Sequence, residues 1–169
     1  MIEESEGEPP KAFEPHDHAT CAAFALEAAT AACAERGLRL TPVRQRTLEI
    51  LLESHQALGA YEILSRLGKD GLGSQPPVVY RALDFLVSNG FVHKIERLNA
   101  FVACVDPAAH GSDAPTAFLI CSDCGTVGET VAQDVASSLG AAAERAGFTV
   151  KDAKVEVEGI CPDCRKSAE

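Results

Sequence analysis

The chain has 169 residues, of which 46% are hydrophobic and 24% are charged, and it carries a formal net charge of −10. This composition is ordinary for one or two globular domains. It contains no apolar run close to the ~18–20 residues that span a membrane, and its Glu- and Pro-rich start is unlike a secretory signal. We therefore expect a cytoplasmic protein with no membrane partner. In that compartment C-x-x-C pairs are metal ligands or redox thiols more often than disulfides.

The negative charge is unevenly distributed along the chain. Residues 1–18 have a net charge of −5 and residues 106–169 a net charge of −6, whereas residues 19–105 contain eight acids and nine bases. Contact with phosphate depends on the local charge of the binding face rather than on the total. The sequence therefore allows a nucleic-acid-binding function in the middle of the chain, with weak non-specific affinity.

Residues 1–18 carry six acidic side chains and three prolines, a composition typical of a disordered acidic tail. His16 and His18 could bind a metal weakly, but a flexible pair lacks a preorganised cage, so the favoured interpretation is a pair of solvated side chains. Cys21 and Cys33 belong to no C-x-x-C pair and are interpreted as small buried hydrophobic residues.

Residues 19–105 predict helices followed by a β-hairpin. Three short helices and a hairpin, in that order, are typical of a winged helix-turn-helix domain, whose last helix enters the major groove of DNA. The hairpin strands are the alternating runs Phe91–Glu96 and Ala100–Cys104. The helix starts and ends are indicated by cap and turn residues, namely Asp17, Gly37, Thr41-Pro42, Gly68, Pro76-Pro77 and Asn89-Gly90.

Tyr80 and Arg81 fall on one arc of the last predicted helix, opposite the apolar arc that contains Val79 and Leu83. Arginine can bind a guanine edge through two hydrogen bonds, and a tyrosine ring can reach a sugar or a thymine methyl group. A solvated helix face is the alternative interpretation. The pattern predicts a DNA-reading helix.

The second half of the chain predicts a hinge and a small domain. Residues 106–115 are small and polar and form the predicted hinge, and residues 116–169 predict a strand–strand–helix–strand unit for dimerisation and metal binding. We expect strands 117–121 and 148–158 to leave open edges that favour pairing with a second copy. The predicted fold class is therefore α+β, with an N-terminal winged helix-turn-helix domain and a small C-terminal α/β dimerisation domain.

Two C-x-x-C pairs supply the four thiolates that a tetrahedral structural zinc requires. Redox chemistry is the alternative, but thioredoxin-like sites use a single pair at a strand-to-helix step, and neither pair here is predicted to open a helix cleanly. Zinc would also stabilise a domain too small to bury a large core. The predicted ligands are Cys121, Cys124, Cys161 and Cys164.

A second set of potential ligands mixes sulfur, nitrogen and oxygen: His93, Cys104, His110 and Glu129. A metal bound by these residues would join the wing, the hinge and the second domain, and could set the angle between DNA-binding halves. One thiolate with imidazole and carboxylate suits Zn²⁺ better than Fe²⁺ or Mn²⁺. The alternative is a surface histidine, a packing cysteine and a solvated glutamate.

Five motifs span most of the chain, over about residues 20–164: Arg39-Leu40-Thr41-Pro42-x-Arg44, Ala60–Leu64, Pro77–Leu86, Gly90–Lys94 and Phe118–Gly125. Together they resemble the motifs of the ferric uptake regulator family. Cysteine at position 104 and the run Phe91–Lys94 look like the zinc uptake branch of that family.

The resemblance implies a homodimeric repressor that binds double-stranded operator DNA when loaded with Zn²⁺, two ions per chain, and shuts off zinc uptake genes. By the same resemblance the four cysteines of the C-x-x-C pairs hold structural zinc and His93, Cys104 and Glu129 hold the sensor zinc. Tyr61 and Arg81 would approach bases, and Arg44 a phosphate.

The chain departs from the family pattern at one place, and other functions remain as alternatives. The family often has a histidine-rich run before the Phe118–Cys121 strand, and here only His110 is available, so Asp106, Asp113 or water could replace that ligand. An iron- or manganese-responsive regulator and a zinc-binding thiol redox protein are the alternatives. Because no paired catalytic carboxylates, nucleophile elbow or phosphate loop is found, we expect no enzyme activity and no small organic substrate.

Overall fold

The computed structural model describes residues 10–73, 75–104 and 116–167. The chain forms two compact units, an N-terminal unit of His16–His110 and a C-terminal unit that combines Met1–Pro15 with Gly111–Glu169. The predicted hinge, residues 106–115, lies outside the described residues. Within the described ranges, no helix is both long and apolar enough to cross a membrane.

The described part of the N-terminal unit contains the predicted helices and hairpin. The hairpin is antiparallel, with Val92 opposite Ala103 and Ile95 opposite Ala100. The prediction of a helical domain with a two-stranded wing is therefore confirmed. Its elements are α1 (His18–Glu35), α2 (Pro42–Leu52), α3 (Ala60–Lys69), α4 (Pro76–Ser88), β1 (Val92–Ile95) and β2 (Ala100–Ala103).

Local chemistry explains where these helices begin and end. The Asp17 carboxylate accepts a hydrogen bond from the backbone N–H of Ala19, which caps α1. The Thr41 hydroxyl accepts from the N–H of Arg44 at the start of α2, next to a proline in the first turn. Gly90 adopts a φ of +76°, a left-handed conformation that ends α4 and directs the chain into β1.

The core of the N-terminal unit surrounds α2, which contacts α1, α3, α4 and β2. The buried Thr47 fits this apolar setting because its hydroxyl donates to the carbonyl of Val43 within the helix. Each fully buried aliphatic side chain contributes about 1.5–3 kcal/mol. The largest fully buried side chains are Leu48, Ile50, Leu51, Ile63, Leu67, Val79, Leu83, Leu86, Phe91, Val92 and Ile95.

The described part of the C-terminal unit contains a three-stranded sheet in the order β4-β3-β5 and two α-helices. Strand β3 pairs antiparallel with β4 and parallel with β5. The expectation that strand 117–121 forms an open edge is therefore wrong, because β5 returns beside it after the α5 crossover. The elements are β3 (Thr116–Cys121), β4 (Val127–Val131), α5 (Gln133–Arg145), β5 (Val155–Gly159) and α6 (Pro162–Ser167).

Two further differences from the predicted elements concern chain ends. The strand predicted over 148–158 is only Val155–Gly159, since only this stretch pairs with β3. Within the predicted tail, Lys11–Phe13 forms a 3-10 turn that packs on β4. Glycine at position 128 makes this contact possible, because an added Cβ would lie 2.5 Å from Phe13 Cε2.

Candidate metal centres and nucleic-acid interface

The four cysteines of the C-x-x-C pairs meet at one end of the C-terminal sheet. Their sulfur atoms all lie within 4.8 Å of one another, and Cys124 Sγ is 3.7 Å from Cys161 Sγ. Two thiolates on a tetrahedral zinc with Zn–S bonds of about 2.3 Å are separated by about 3.8 Å. A disulfide would require a separation of about 2.05 Å. The spacing therefore fits a zinc ion held by these cysteines.

Backbone geometry brings the two pairs together across 36 intervening residues. Cys121 ends β3 and is paired with Gly159 at the end of β5, so that the chain beyond β5 emerges beside it. The backbone N–H of Cys161 then donates to Cys121 Sγ at 3.3 Å. This contact places the second pair against the first.

The second C-x-x-C pair lies at a strand-to-helix step, because α6 begins directly after Cys161. The expectation that neither pair opens a helix is thus wrong for this one. Because Cys164 lies in the first turn of α6, its backbone N–H donates a hydrogen bond to Cys161 Sγ at 3.5 Å. Although the step resembles a redox site locally, Cys161 and Cys164 here share their surroundings with two more sulfurs.

The thiols of this cluster have unequal acidity. Hydrogen bonds from the backbone N–H groups of Cys124 and Cys161 lower the pKa of Cys121 to about 6, from a usual value of 9.0. The pKa of Cys164 is raised, because Cys161 and Cys124 hydrogen-bond to its side chain. These hydrogen bonds favour the thiolate form of Cys121 and the protonated form of Cys164. A divalent zinc ion would displace the remaining protons, as thiolate ligation requires.

Two ligands of the predicted regulatory site lie together in the wing. A ring nitrogen of His93 is within 4.8 Å of Cys104 Sγ. His93 lies on β1 opposite Val102, and Cys104 directly follows β2 and is only 1% exposed. The backbone N–H of Cys104 donates to the carbonyl of Phe91, whose own N–H donates to the carbonyl of Leu86 in α4. Two backbone hydrogen bonds therefore connect the buried thiol with α4.

The other two predicted ligands lie outside the described part of the N-terminal unit. Glu129 lies in the C-terminal unit, half-buried on β4 opposite Phe118. His110 is outside the described residues. The pair that the N-terminal unit itself provides is an imidazole and a buried thiol, which is a suitable donor set for zinc.

The predicted DNA-reading residues lie on an exposed face of α3 and α4. Tyr61 is 71% exposed at the start of α3, and Tyr80 and Arg81 are exposed on α4, whereas Val79 and Leu83 are buried. An open groove of about 490 Å³ adjoins the two tyrosines. Its lining comprises Gly59, Ala60, Tyr61, Tyr80, Asp84, Val87, Ser88, Lys94, Asn99 and Phe101.

Arg44 has internal contacts that its sequence motif does not indicate. Its guanidinium carbon is 3.7 Å from the centroid of the Phe85 ring, a cation–π contact between α2 and α4. Its Nη1 also donates to the carbonyl of Arg39 at 2.6 Å. The side chain thus helps to hold α4 on the core, and its phosphate contact stays a prediction.

One cluster was missed by the sequence interpretation. His16, Cys21 and His55 place potential metal-ligand atoms within 4.8 Å of one another. His55 lies 39 residues beyond His16, in the connection between α2 and α3, and no spacing motif links the two. The only signal in the sequence was that His16, His18 and Cys21 lie close together near the predicted start of a helix.

Known proteins provide a direct comparison. Residues 35–158 match the sequence profile of the ferric uptake regulator family. The chain is 39% identical over 135 residues to the zinc uptake regulation protein of Escherichia coli (strain K12), covering 78% of this chain and 76% of that protein. It is 31% identical over 138 residues to the ferric uptake regulation protein of Legionella pneumophila, covering 78% and 94% respectively.

A solved structure agrees with these sequence comparisons. A structure described as a zinc uptake regulator complexed with zinc and DNA superposes on this chain with a TM-score of 0.80 at 35% sequence identity. The superposition covers 87% of this chain and 97% of that chain.

We predict that Cys121→Ala abolishes folding of the C-terminal unit while the N-terminal unit stays folded. Binding of structural zinc is worth about 10–16 kcal/mol, which exceeds the stability of a small domain. Hydrogen exchange should show lost protection in β3 and retained protection in α2. Asp123→Asn, in the same loop but exposed, is the matched control and should leave β3 protected. Protection of β3 in a zinc-free Cys121→Ala chain would contradict the prediction.

Proposed function

The chain belongs to the ferric uptake regulator family, and we propose that it is a zinc-responsive repressor that binds operator DNA as a zinc-loaded homodimer and represses zinc uptake genes. The observation that carries this proposal is the buried Cys104 thiol beside the His93 imidazole in the DNA-binding unit. The protein would act in the cytoplasm as a binding protein rather than as an enzyme.

Ligand chemistry supports zinc over iron or manganese. A thiolate and an imidazole suit Zn²⁺, whereas Fe²⁺ and Mn²⁺ favour nitrogen and oxygen ligands alone. We assign one zinc ion to the four-cysteine cluster and a second, regulatory ion to His93 and Cys104. Glu129 would be a third ligand, as the family resemblance implies, and His110, Asp106, Asp113 or water would complete the set. The identity to a zinc uptake regulation protein, 39%, supports the same choice of metal.

Regulation would act through a shift in conformational population. Zinc bound at the regulatory site would select the arrangement in which two α4 helices match DNA half-sites about one helical turn apart. The hydrogen bonds that run from Cys104 through Phe91 to Leu86 support a mechanical connection between the ligand and α4. An increase in DNA affinity of about two-hundredfold corresponds to a coupling of about 3 kcal/mol, at the upper limit of the usual allosteric range.

Exposed apolar side chains support a homodimer formed through the C-terminal unit. Helix α5 has no buried residue, although Leu139 and Val135 are apolar, and Phe148 just beyond it is 68% exposed. Pairing with a second copy would remove these apolar side chains from water. The exposed apolar residues of this unit are Val131, Val135, Leu139, Phe148, Val150, Val157 and Ile160.

We predict that Cys104→Ser abolishes the zinc response. Loss of the thiolate removes the softest ligand of the regulatory site, so zinc should no longer raise affinity for operator DNA by about two-hundredfold. The measurement is fluorescence anisotropy of labelled operator DNA with increasing zinc. Cys33→Ala, which changes another buried cysteine of the same unit, should respond like the unmodified chain. An undiminished zinc response in Cys104→Ser would refute the proposed sensor.

Arg81→Ala should weaken operator binding by about 1–3 kcal/mol and relax sequence preference, if the guanidinium reads a base edge. Arg81→Lys separates this role from a simple phosphate contact, because lysine keeps the charge but loses the planar fork. The comparison is made by anisotropy on operator and scrambled DNA. Equal affinity of all three chains for operator DNA would exclude Arg81 from the interface.

Leu139→Glu should convert the dimer into a monomer, since a carboxylate would be buried in the apolar contact. Sedimentation velocity measures the change. The control is Phe24→Glu, which introduces the same charge at an exposed apolar residue of the N-terminal unit and should leave the dimer intact. A dimeric Leu139→Glu chain would mean that the contact lies elsewhere.

A further inference from the structure

A second histidine–cysteine cluster lies in the N-terminal unit, separate from the wing. His55 Nε2 is 3.0 Å from His16 Nε2, and Cys21 supplies a sulfur within 4.8 Å of ligand atoms on both histidines. His18 lies beside them, with its ring centroid 4.6 Å from that of His55. Three imidazoles and one thiol thus converge in a small volume.

The fold explains this convergence. Asp17 uses its carboxylate to cap α1, and the first turn of that helix then carries His18 and Cys21 on one face, three residues apart. The buried residues Ala25 and Ala29 continue the same face and anchor α1 against the core. The connection after α2 brings His55 to this face from a distant part of the sequence. The cluster is therefore held by packed elements.

The third imidazole beside the cluster lacks a polar partner. Both ring nitrogens of His18 are buried and have no hydrogen-bond partner in the described part of the protein. An ion at the cluster would give one of these nitrogens a partner.

A simple hydrogen bond explains only part of this arrangement. One N–H···N bond accounts for His16 and His55, but it leaves His18 and the adjacent thiol without a role. Two nitrogens on a tetrahedral zinc are separated by about 3.3 Å, close to the 3.0 Å between the two Nε2 atoms. Imidazole with one thiolate is a zinc donor set, whereas Mg²⁺ and Ca²⁺ select oxygen.

We propose that His16, Cys21 and His55 bind an additional zinc ion, with His18 as the fourth ligand. This ion is distinct from the structural and regulatory ions and joins the start of α1 to the connection that precedes α3. It would stabilise the DNA-binding unit in proportion to the logarithm of free zinc above its dissociation constant. The sequence predicts His16 and His18 to be a flexible pair, but in the structure both lie against His55, which makes the site preorganised.

Cobalt(II) provides the test, because it occupies zinc sites and gives a sulfur-to-metal absorption band when a thiolate binds it. The starting chain is full-length Cys104→Ser, with zinc retained in the four-cysteine cluster, so that the regulatory site lacks its thiolate. Added Co²⁺ should still produce a thiolate band in this chain. The additional change Cys21→Ser should remove the band, and His55→Ala should weaken Co²⁺ binding at least tenfold.

Cys33→Ala in the same Cys104→Ser background is the matched control and should keep the band. Native mass spectrometry in excess zinc should find one ion fewer per chain when Cys21→Ser is added to Cys104→Ser. Far-UV circular dichroism verifies that each variant is folded. Absence of a thiolate band in Cys104→Ser, or its persistence after Cys21→Ser, would overturn the proposal. Neither outcome depends on DNA binding, so the proposed repressor function is tested separately.

Discussion

Four sulfur atoms meet at the ends of two neighbouring strands, and we expect the C-terminal unit to depend on a metal ion that they bind. Cys121 ends β3, and Cys161 follows β5 with its N–H directed at the Cys121 sulfur. The sheet has three strands, and α5 contributes no buried side chain. The C-terminal unit of a single chain therefore buries little apolar surface. A metal ion and a second copy of the chain would offset the entropic cost of ordering this unit.

The N-terminal unit is built on a different principle. Its stability comes from an apolar core around α2, and side-chain caps define the starts of α1 and α2. The wing is attached to this core through Phe91, whose backbone lies between α4 and Cys104 in a short series of hydrogen bonds. A ligand bound at Cys104 is thus connected through two backbone hydrogen bonds to α4, the helix that would read DNA.

Cap and turn residues in the sequence predicted where the helices begin and end. The order of the strands and the contacts of His55 could not be predicted in this way, because they join residues that are far apart in the sequence. Thr41-Pro42 and Asn89-Gly90 defined helix ends correctly because capping depends on adjacent residues. The central position of β3 was missed because it depends on the return of β5 after a crossover. The role of His55 was missed for the same reason, since His16 and Cys21 lie 39 and 34 residues earlier, just before and within the start of α1.

Thermodynamic linkage offers the most direct test of the central claim, that zinc at His93 and Cys104 is coupled to DNA binding. If zinc raises affinity for DNA, DNA must raise affinity for zinc by the same factor. The measurement is the zinc dissociation constant of the regulatory site in the free protein and in the operator complex, obtained by competition with a chromophoric chelator. The account predicts zinc binding about two-hundredfold tighter in the complex. Equal zinc affinity with and without operator DNA would contradict it.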